Sequence, residues 1–226
     1  MQADLAALRE EQRHIAARAI RQDALGEVRL IAGVDVSCTR FDPEHRVHAA
    51  IIVLEWPSLR EVARAGASAL SPLPYITGLL GFREVPVLAE AWARLAVRPD
   101  LCLVDGQGLE HPRRCGIATH FGVTLDVPSI GVAKSRLLGT WPELPEAPDS
   151  TVPISDRGEV VGMLLRSRAR ANPLHVSIGH RVSLDTALRW TRATLRGRRL
   201  PEPTRLAHLA SNAVRRGEAA PEAGAA

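Results

Sequence analysis

Apolar positions along this chain recur in two periods, one helical and one of alternating strands, and the switches between them mark out its elements. Residues 3–24 carry Leu5, Leu8, Ile15, Ala16 and Ala19 at helical spacing in a polar background, which predicts an amphipathic helix. Residues 28–38 are a Val- and Ile-rich β run with Asp35 inside it. Residues 47–56 and 62–70 predict two more strands, and the short turn-like Pro57-Ser58-Leu59-Arg60 between them favours antiparallel neighbours. Residues 71–78 form a proline-punctuated loop. A helix is predicted over 82–96, with Pro86 tolerable only near its first turn. Residues 101–104 are wholly apolar, as in a buried parallel strand, and end at Asp105 before Gly106-Gln107-Gly108.

The pattern continues with a helix over 114–124 and a strand over 129–133. Residues 138–150 hold three prolines and several acids and predict a surface excursion. Strands follow at 159–166 and 174–178, the first able to pair with 152–155. A helix over 183–196 opens on Ser183 without the acid of a capping box, which predicts a weak cap, and a last helix spans 203–216. This order predicts an α/β protein with a central mixed sheet flanked by helices. Residues 1–216 are expected to form one domain, and the Ala, Glu, Pro and Gly tail at 217–226 to be flexible. Sites in open α/β sheets gather at strand carboxyl ends, so Asp35 and Asp105 are placed to converge.

Composition sharpens this picture in charge, in cysteines and apolar runs, and in one lysine. The formal charge of +4 favours an anionic partner, and from Arg181 onward nine arginines face four acidic residues, which suits a phosphate backbone as well as it suits a solvated helix pair. Cys38, Cys102 and Cys115 include no close pair, so neither a disulfide framework nor a zinc knuckle is expected. No apolar run is long enough to span a membrane, and a reducing cytoplasm is the default expectation. Third, Lys134 is the single lysine among 29 basic residues. Its ammonium is a compact charge with an adjustable pKa, whereas guanidinium cannot usefully give up a proton, which makes Lys134 a candidate for chemistry.

Asp35, Glu84 and Asp105 lie on separate elements, and their all-oxygen donors suit Mg²⁺, with Mn²⁺ able to substitute. Glu84, near a helix start, can reach such an ion through water or simply complement the helix dipole. Lys134 can offset charge developing on a phosphate. The pattern Gly-Lys-Ser/Thr with its spaced glycines is absent, which argues against a nucleotide-cradling loop. Tyr75, the only tyrosine, sits in a loop stiffened by Pro72 and Pro74 and can either wedge into a base stack or pack over the core. His111-Pro112-Arg113-Arg114 offers phosphate contacts or solvated charge, and His208 is either a site residue or a surface histidine.

Seven stretches in order closely resemble endonuclease V, in a match that covers roughly residues 5–216. They are Ile31-Ala32-Gly33-Val34-Asp35-Val36-Ser37, the run from Pro74 through Tyr75, Ile76, Gly78, Leu80 and Arg83 to Glu84, Val104-Asp105-Gly106-Gln107-Gly108, and His111-Pro112-Arg113-Arg114. Ile130-Gly131-Val132-Ala133-Lys134-Ser135-Arg136, Gly179-His180-Arg181 and the run from Pro201 to His208 complete the set. The resemblance implies a ribonuclease H-like fold and a Mg²⁺-dependent deoxyinosine 3′ endonuclease, a DNA repair enzyme. It would hydrolyse the second phosphodiester bond 3′ to the lesion, leaving 3′-hydroxyl and 5′-phosphate ends. It further implies that Asp35 and Asp105 hold the metal with help from Glu84, that Lys134 is catalytic, that His208 stands beside the metal, and that Tyr75 is the strand-separating wedge. Pro74, Ile76, Gly78, Leu80, Arg83, Gly106, Gln107, Gly108, His111 and Gly131 are then expected in the lesion pocket or its DNA contacts. Thr77 stands where the family usually has a second proline, and Cys38 where an aromatic is common. Inosine-containing DNA is the expected partner, acted on by a monomer. Cleavage of inosine-containing RNA is the alternative, and a silent nucleic-acid-binding protein or an unrelated Mg²⁺-dependent phosphatase are the more distant ones.

Overall fold

The computed structural model describes residues 4–39 and 42–218. Residue 3 of the predicted first helix and the tail from residue 219 lie outside the described residues. Eight strands form one mixed sheet in the order β3-β2-β1-β4-β5-β8-β7-β6. Strands β1 (Leu30–Ser37), β2 (Arg46–Glu55) and β3 (Arg60–Leu70) run antiparallel in succession, as the short turn between the second and third predicts for that pair. In the centre, β4 (Leu101–Val104) lies parallel to both β1 and β5 (Ser129–Ala133). The far edge is antiparallel again, with β8 (Leu174–His180) against β5, then β7 (Glu159–Leu165) and β6 (Thr151–Asp156). No helix among the described residues is long and apolar enough to cross a membrane.

Helices cover both faces. On one, α2 (Leu80–Ala93) and α3 (Ile117–Leu125) bury Val85, Leu88 and Phe121 against Ala32 and Val34 of β1, with α1 (Leu5–Arg18) outside α3. On the other, α4 (Leu184–Ala193) and α5 (Glu202–Arg215) pack Ala187, Leu188, Ala207 and Ala210 over Ile31, Leu103 and Ile130. Alternation along β1 sends Asp35 to the same face as Ile31, the face that α5 covers. Gly33 permits the close seat of α5, because a Cβ there would lie 1.8 Å from the Pro203 carbonyl oxygen.

The sequence reading needs four corrections, each with a local cause. Helix α1 ends at Arg18 rather than 24, because the chain beyond it pairs with the segment after β8 through Arg181 N–H to Ile20 O (2.7 Å) and Ala24 N–H to Arg181 O (3.1 Å). Asp23, freed from that helix, accepts from Ser183 N (2.7 Å) and Thr186 Oγ1 (2.8 Å). The acid missing from the α4 capping box is thus supplied across 160 residues, and Ser183 caps the helix by accepting from Thr186 N at 3.1 Å. Helix α3 starts at 117 rather than 114, since Arg114 holds a left-handed φ of 55°. Helix α2 begins at Leu80, which moves Glu84 and Pro86 beyond the first turn and leaves Pro86 inside the helix. Finally, the excursion at 138–150 is partly packed: Leu144 is buried with Ile154 and Leu164, and Thr140 bridges Ser155.

Candidate active site

The parallel register sets Val34 beside Val104, so Asp35 and Asp105 leave neighbouring strand ends side by side, joined by Asp105 N–H donating to Val34 O at 2.9 Å. Both carboxylates are buried or nearly so. Lys134, just past the end of β5, forms an ion pair with Asp105 Oδ2. From the opposite layer, Ser211 Oγ donates to Asp35 Oδ2 at 2.5 Å, and His208 Nδ1 lies 3.2 Å from the same oxygen. Ligand atoms of Asp35, Asp105 and His208 all fall within 4.8 Å of one another. Two carboxylates and one imidazole at that spacing fit a divalent cation. Glu84 stands outside this three-residue cluster and His208 inside it, so the imidazole that was expected beside the metal is one of the grouped donors.

The electrostatics report the same crowding. Burial pushes the Glu84 carboxyl up to about 8, with Asp35 and Asp105 adding to the rise and Arg83 opposing it. Asp105 rises to about 6 through burial and its Asp35 neighbour, against the pull of the Lys134 ammonium. His208 is raised by its hydrogen bond to Asp35. Excess negative charge held away from water is what a bound cation relieves. Because the folded-state pKa of Glu84 exceeds its ordinary value of 4.5, its contribution to stability is complete below 4.5 and is lost as pH rises through 8. Glu84→Gln is therefore expected to raise the unfolding free energy of the cation-free protein at pH 8, by up to about 4 kcal/mol. At pH 4 the two proteins should match, which urea titration in chelator can check.

A cleft reached by the segments that follow Asp105 and Lys134 is lined by Tyr75, Gly78, Leu80, Gln107 and His111, together with Thr77, Gly81, Cys115, Gly116, Ile117 and Leu137. Tyr75 projects from it, 67% exposed, which removes the alternative that it packs over the core. His111 is buried, and its Nδ1 accepts from Arg113 N (3.2 Å), so its Nε2 carries the proton donated to Gly78 O at 3.1 Å. Burial and Arg113 lower its pKa to about 4, which keeps this ring neutral. Gln107 Nε2 donates to Ser135 O at 3.0 Å, tying the loop after Asp105 to the segment after Lys134.

Other expected pocket residues do different work. Arg83 is buried and donates Nη1 to Leu73 O at 2.9 Å, so it braces the Tyr75 loop from within. Gly108 and Gly131 meet backbone to backbone: a Cβ on Gly131 would lie 2.4 Å from Gly108 N, which itself donates to Ser177 Oγ at 2.8 Å. Pro74, Ile76 and Gly106 are not among the cleft-lining residues, although Pro74 and Ile76 flank Tyr75 on its loop and Gly106 follows Asp105 directly. The sequence reading missed Gln12. Fully buried on α1, it donates Nε2 to Gly78 O (3.0 Å) and Cys115 O (3.2 Å) and accepts from Arg113 Nε at 2.5 Å. The Gly78 carbonyl also accepts from Arg113 Nη2 at 2.6 Å, so one carbonyl anchors the cleft loop to α1 and to the loop before α3. The one signal in the sequence is its position, a polar residue at helical spacing on the stripe of Leu5, Leu8, Ile15 and Ala19.

The model of the endonuclease V family matches residues 13–209. This chain belongs to the endonuclease V family. It is 35% identical to endonuclease V from Streptomyces avermitilis, across 96% of each chain, with a TM-score of 0.88. The catalytic domain of human endonuclease V is 33% identical, over 95% of this chain and 98% of that one, with a TM-score of 0.85. Endonuclease V of Ciona intestinalis, solved in complex with a 23mer DNA containing an inosine followed by a ribo-adenosine, is 26% identical over 94% of this chain and 97% of that one, with a TM-score of 0.81. The mixed sheet with helices on both faces is the ribonuclease H-like arrangement of the endonuclease V family.

Proposed function

We propose that this chain is a Mg²⁺-dependent repair endonuclease that recognises deoxyinosine in DNA and hydrolyses the second phosphodiester bond on its 3′ side. The observation that carries the reading is the convergence of Asp35, Asp105 and His208 next to Lys134, together with the cleft at the exposed Tyr75. The inosine-containing strand bound by the Ciona relative supports the substrate class. A divalent cation held by these residues supplies charge neutralisation and polarisation at the scissile phosphate. Around it, Asp35 is oriented by Ser211 and His208, which fixes one carboxylate oxygen, and Lys134 stands at Asp105 where its ammonium can meet charge developing on the phosphate oxygens. Glu84, held largely neutral near pH 7 by burial and its carboxylate neighbours, can give up its proton when a cation offsets that charge. Hypoxanthine pairs weakly, so displacing it into the cleft costs less than flipping a normal base.

The deciding experiment offers matched DNA and RNA duplexes with a single inosine, with Mg²⁺ or with chelator, and maps the cut. Cleavage at the second bond 3′ to inosine, lost in chelator, is expected for DNA. Equal cutting of inosine-free duplexes sinks the reading. A second reading, cleavage of inosine-containing RNA, draws support from the ribo-adenosine that follows the inosine in the Ciona complex, and the RNA arm decides it. Tyr75→Ala is expected to weaken binding of the inosine duplex about tenfold, the scale of one lost aromatic–base stack. Unchanged affinity and cleavage would remove the wedge assignment.

A further inference from the structure

Two segments distant in sequence are stitched together beside Lys134. The β7–β8 loop, residues 166–173, meets the α4–α5 connector, residues 194–201, through Ser167 Oγ donating to Arg199 O at 2.7 Å. Arg199 returns the contact, donating Nε to Asn172 O (2.8 Å) and Nη2 to Pro173 O (3.4 Å) and Lys134 O (2.8 Å). Arg166 braces the same loop through Nε to Pro145 O (2.7 Å) and Nη1 to Ala171 O (3.3 Å). Loop, connector and the backbone of Lys134 therefore make one shelf.

Three exposed arginines stand on that shelf, Arg168 and Arg170 on the loop and Arg198 on the connector. The ion pairs among the described residues engage none of them. Glu202, whose acidity Arg198 and Arg196 increase through space, is already held by Arg205, and Asp149 is held by Arg192. Uncompensated guanidinium groups on a rigid support repel one another, and a polyanion offsets that repulsion. Planar forks also match phosphate oxygens better than a point charge does.

We propose that Arg168, Arg170 and Arg198 form a docking surface for the phosphodiester backbone of the DNA flanking the cut, a reading that rests on the nuclease assignment. Arg199 holds the shelf at a fixed place relative to Lys134, so backbone contacts there tether the flanking strand close to the ammonium. The partner surface is sequence-independent, because phosphates position a strand without reading it.

The test is the triple variant Arg168→Gln/Arg170→Gln/Arg198→Gln against a control, Arg29→Gln/Arg60→Gln/Arg98→Gln, that removes equal charge near the opposite end of β1. Binding of an inosine duplex is measured in chelator from 50 to 200 mM salt, and kcat and KM are measured in Mg²⁺. The shelf variant is expected to lose about 0.9 per contact from the slope of log affinity against log salt, up to about 2.7 in all. KM should rise about tenfold with kcat within about twofold of wild type, while the control keeps the wild-type slope. A shelf variant with unaltered slope and KM, or a control that loses as much, overturns the proposal. Should wild type leave inosine DNA uncut, the nuclease assignment falls, and the salt slope still decides the shelf.

Discussion

Asp35→Asn and Asp105→Asn are each expected to lower turnover on inosine-containing DNA by on the order of 10³-fold or more while leaving the protein folded. Asparagine keeps the shape of the side chain, so Ser211 and His208 retain an acceptor at position 35, but the charge that attracts a cation is gone. The two positions should differ in one respect. At 105 the substitution also strips Lys134 of its counter-ion, whereas at 35 that pair survives. Calorimetric titration with Mg²⁺ separates lost cation binding from lost chemistry, and wild-type cleavage by either variant would show that the site lies elsewhere.

Lys134→Ala is expected to cost about 10²-fold in kcat, the scale of one electrostatic contact to a developing anion, with a smaller effect on KM. A second readout follows from Asp105. The Lys134 ammonium is what holds its pKa down against burial and Asp35, and even so it reaches about 6. Without the ammonium the proton binds Asp105 more tightly, so the acid limb of the pH–rate profile should move to higher pH. Lys134→Arg distinguishes the roles of the amine: near-full activity with the limb unmoved assigns it charge alone, and collapse in a folded protein assigns it reach or proton transfer. An acid limb that stays in place in Lys134→Ala would disconnect the lysine from Asp105.

What could be read from the residues was whatever broke a local rule. Asp35 interrupts an apolar strand and Asp105 ends one, and a carboxylate in that setting demands a partner. Lys134 stands out in an arginine-rich chain, and the short turn at Pro57–Arg60 made the β2–β3 hairpin legible. Residues whose roles come from distant partners were silent. Gln12 falls at helical spacing on the stripe of Leu8, Ile15 and Ala16, so its burial was legible, but its partners were not, because Gly78 and Cys115 are brought to it by other elements. Asp23 continues a helical pattern, but Ser183 and Thr186 draw it into a cap and the helix stops short. Arg83 is expected from the resemblance in the lesion pocket or its DNA contacts, and only the folded chain shows it turned inward to Leu73.

The docking of α5 across Gly33 has a consequence for timing. Asp35 and Asp105 emerge early in synthesis, but His208 and Ser211 belong to the last helix, which follows them by about a hundred residues or more. A chain that stops before α5 lacks both groups that orient Asp35. The grouping of Asp35, Asp105 and His208 is complete only with α5 seated on β1, so a fragment of this nuclease that ends before residue 202 is expected to leave inosine-containing DNA uncut.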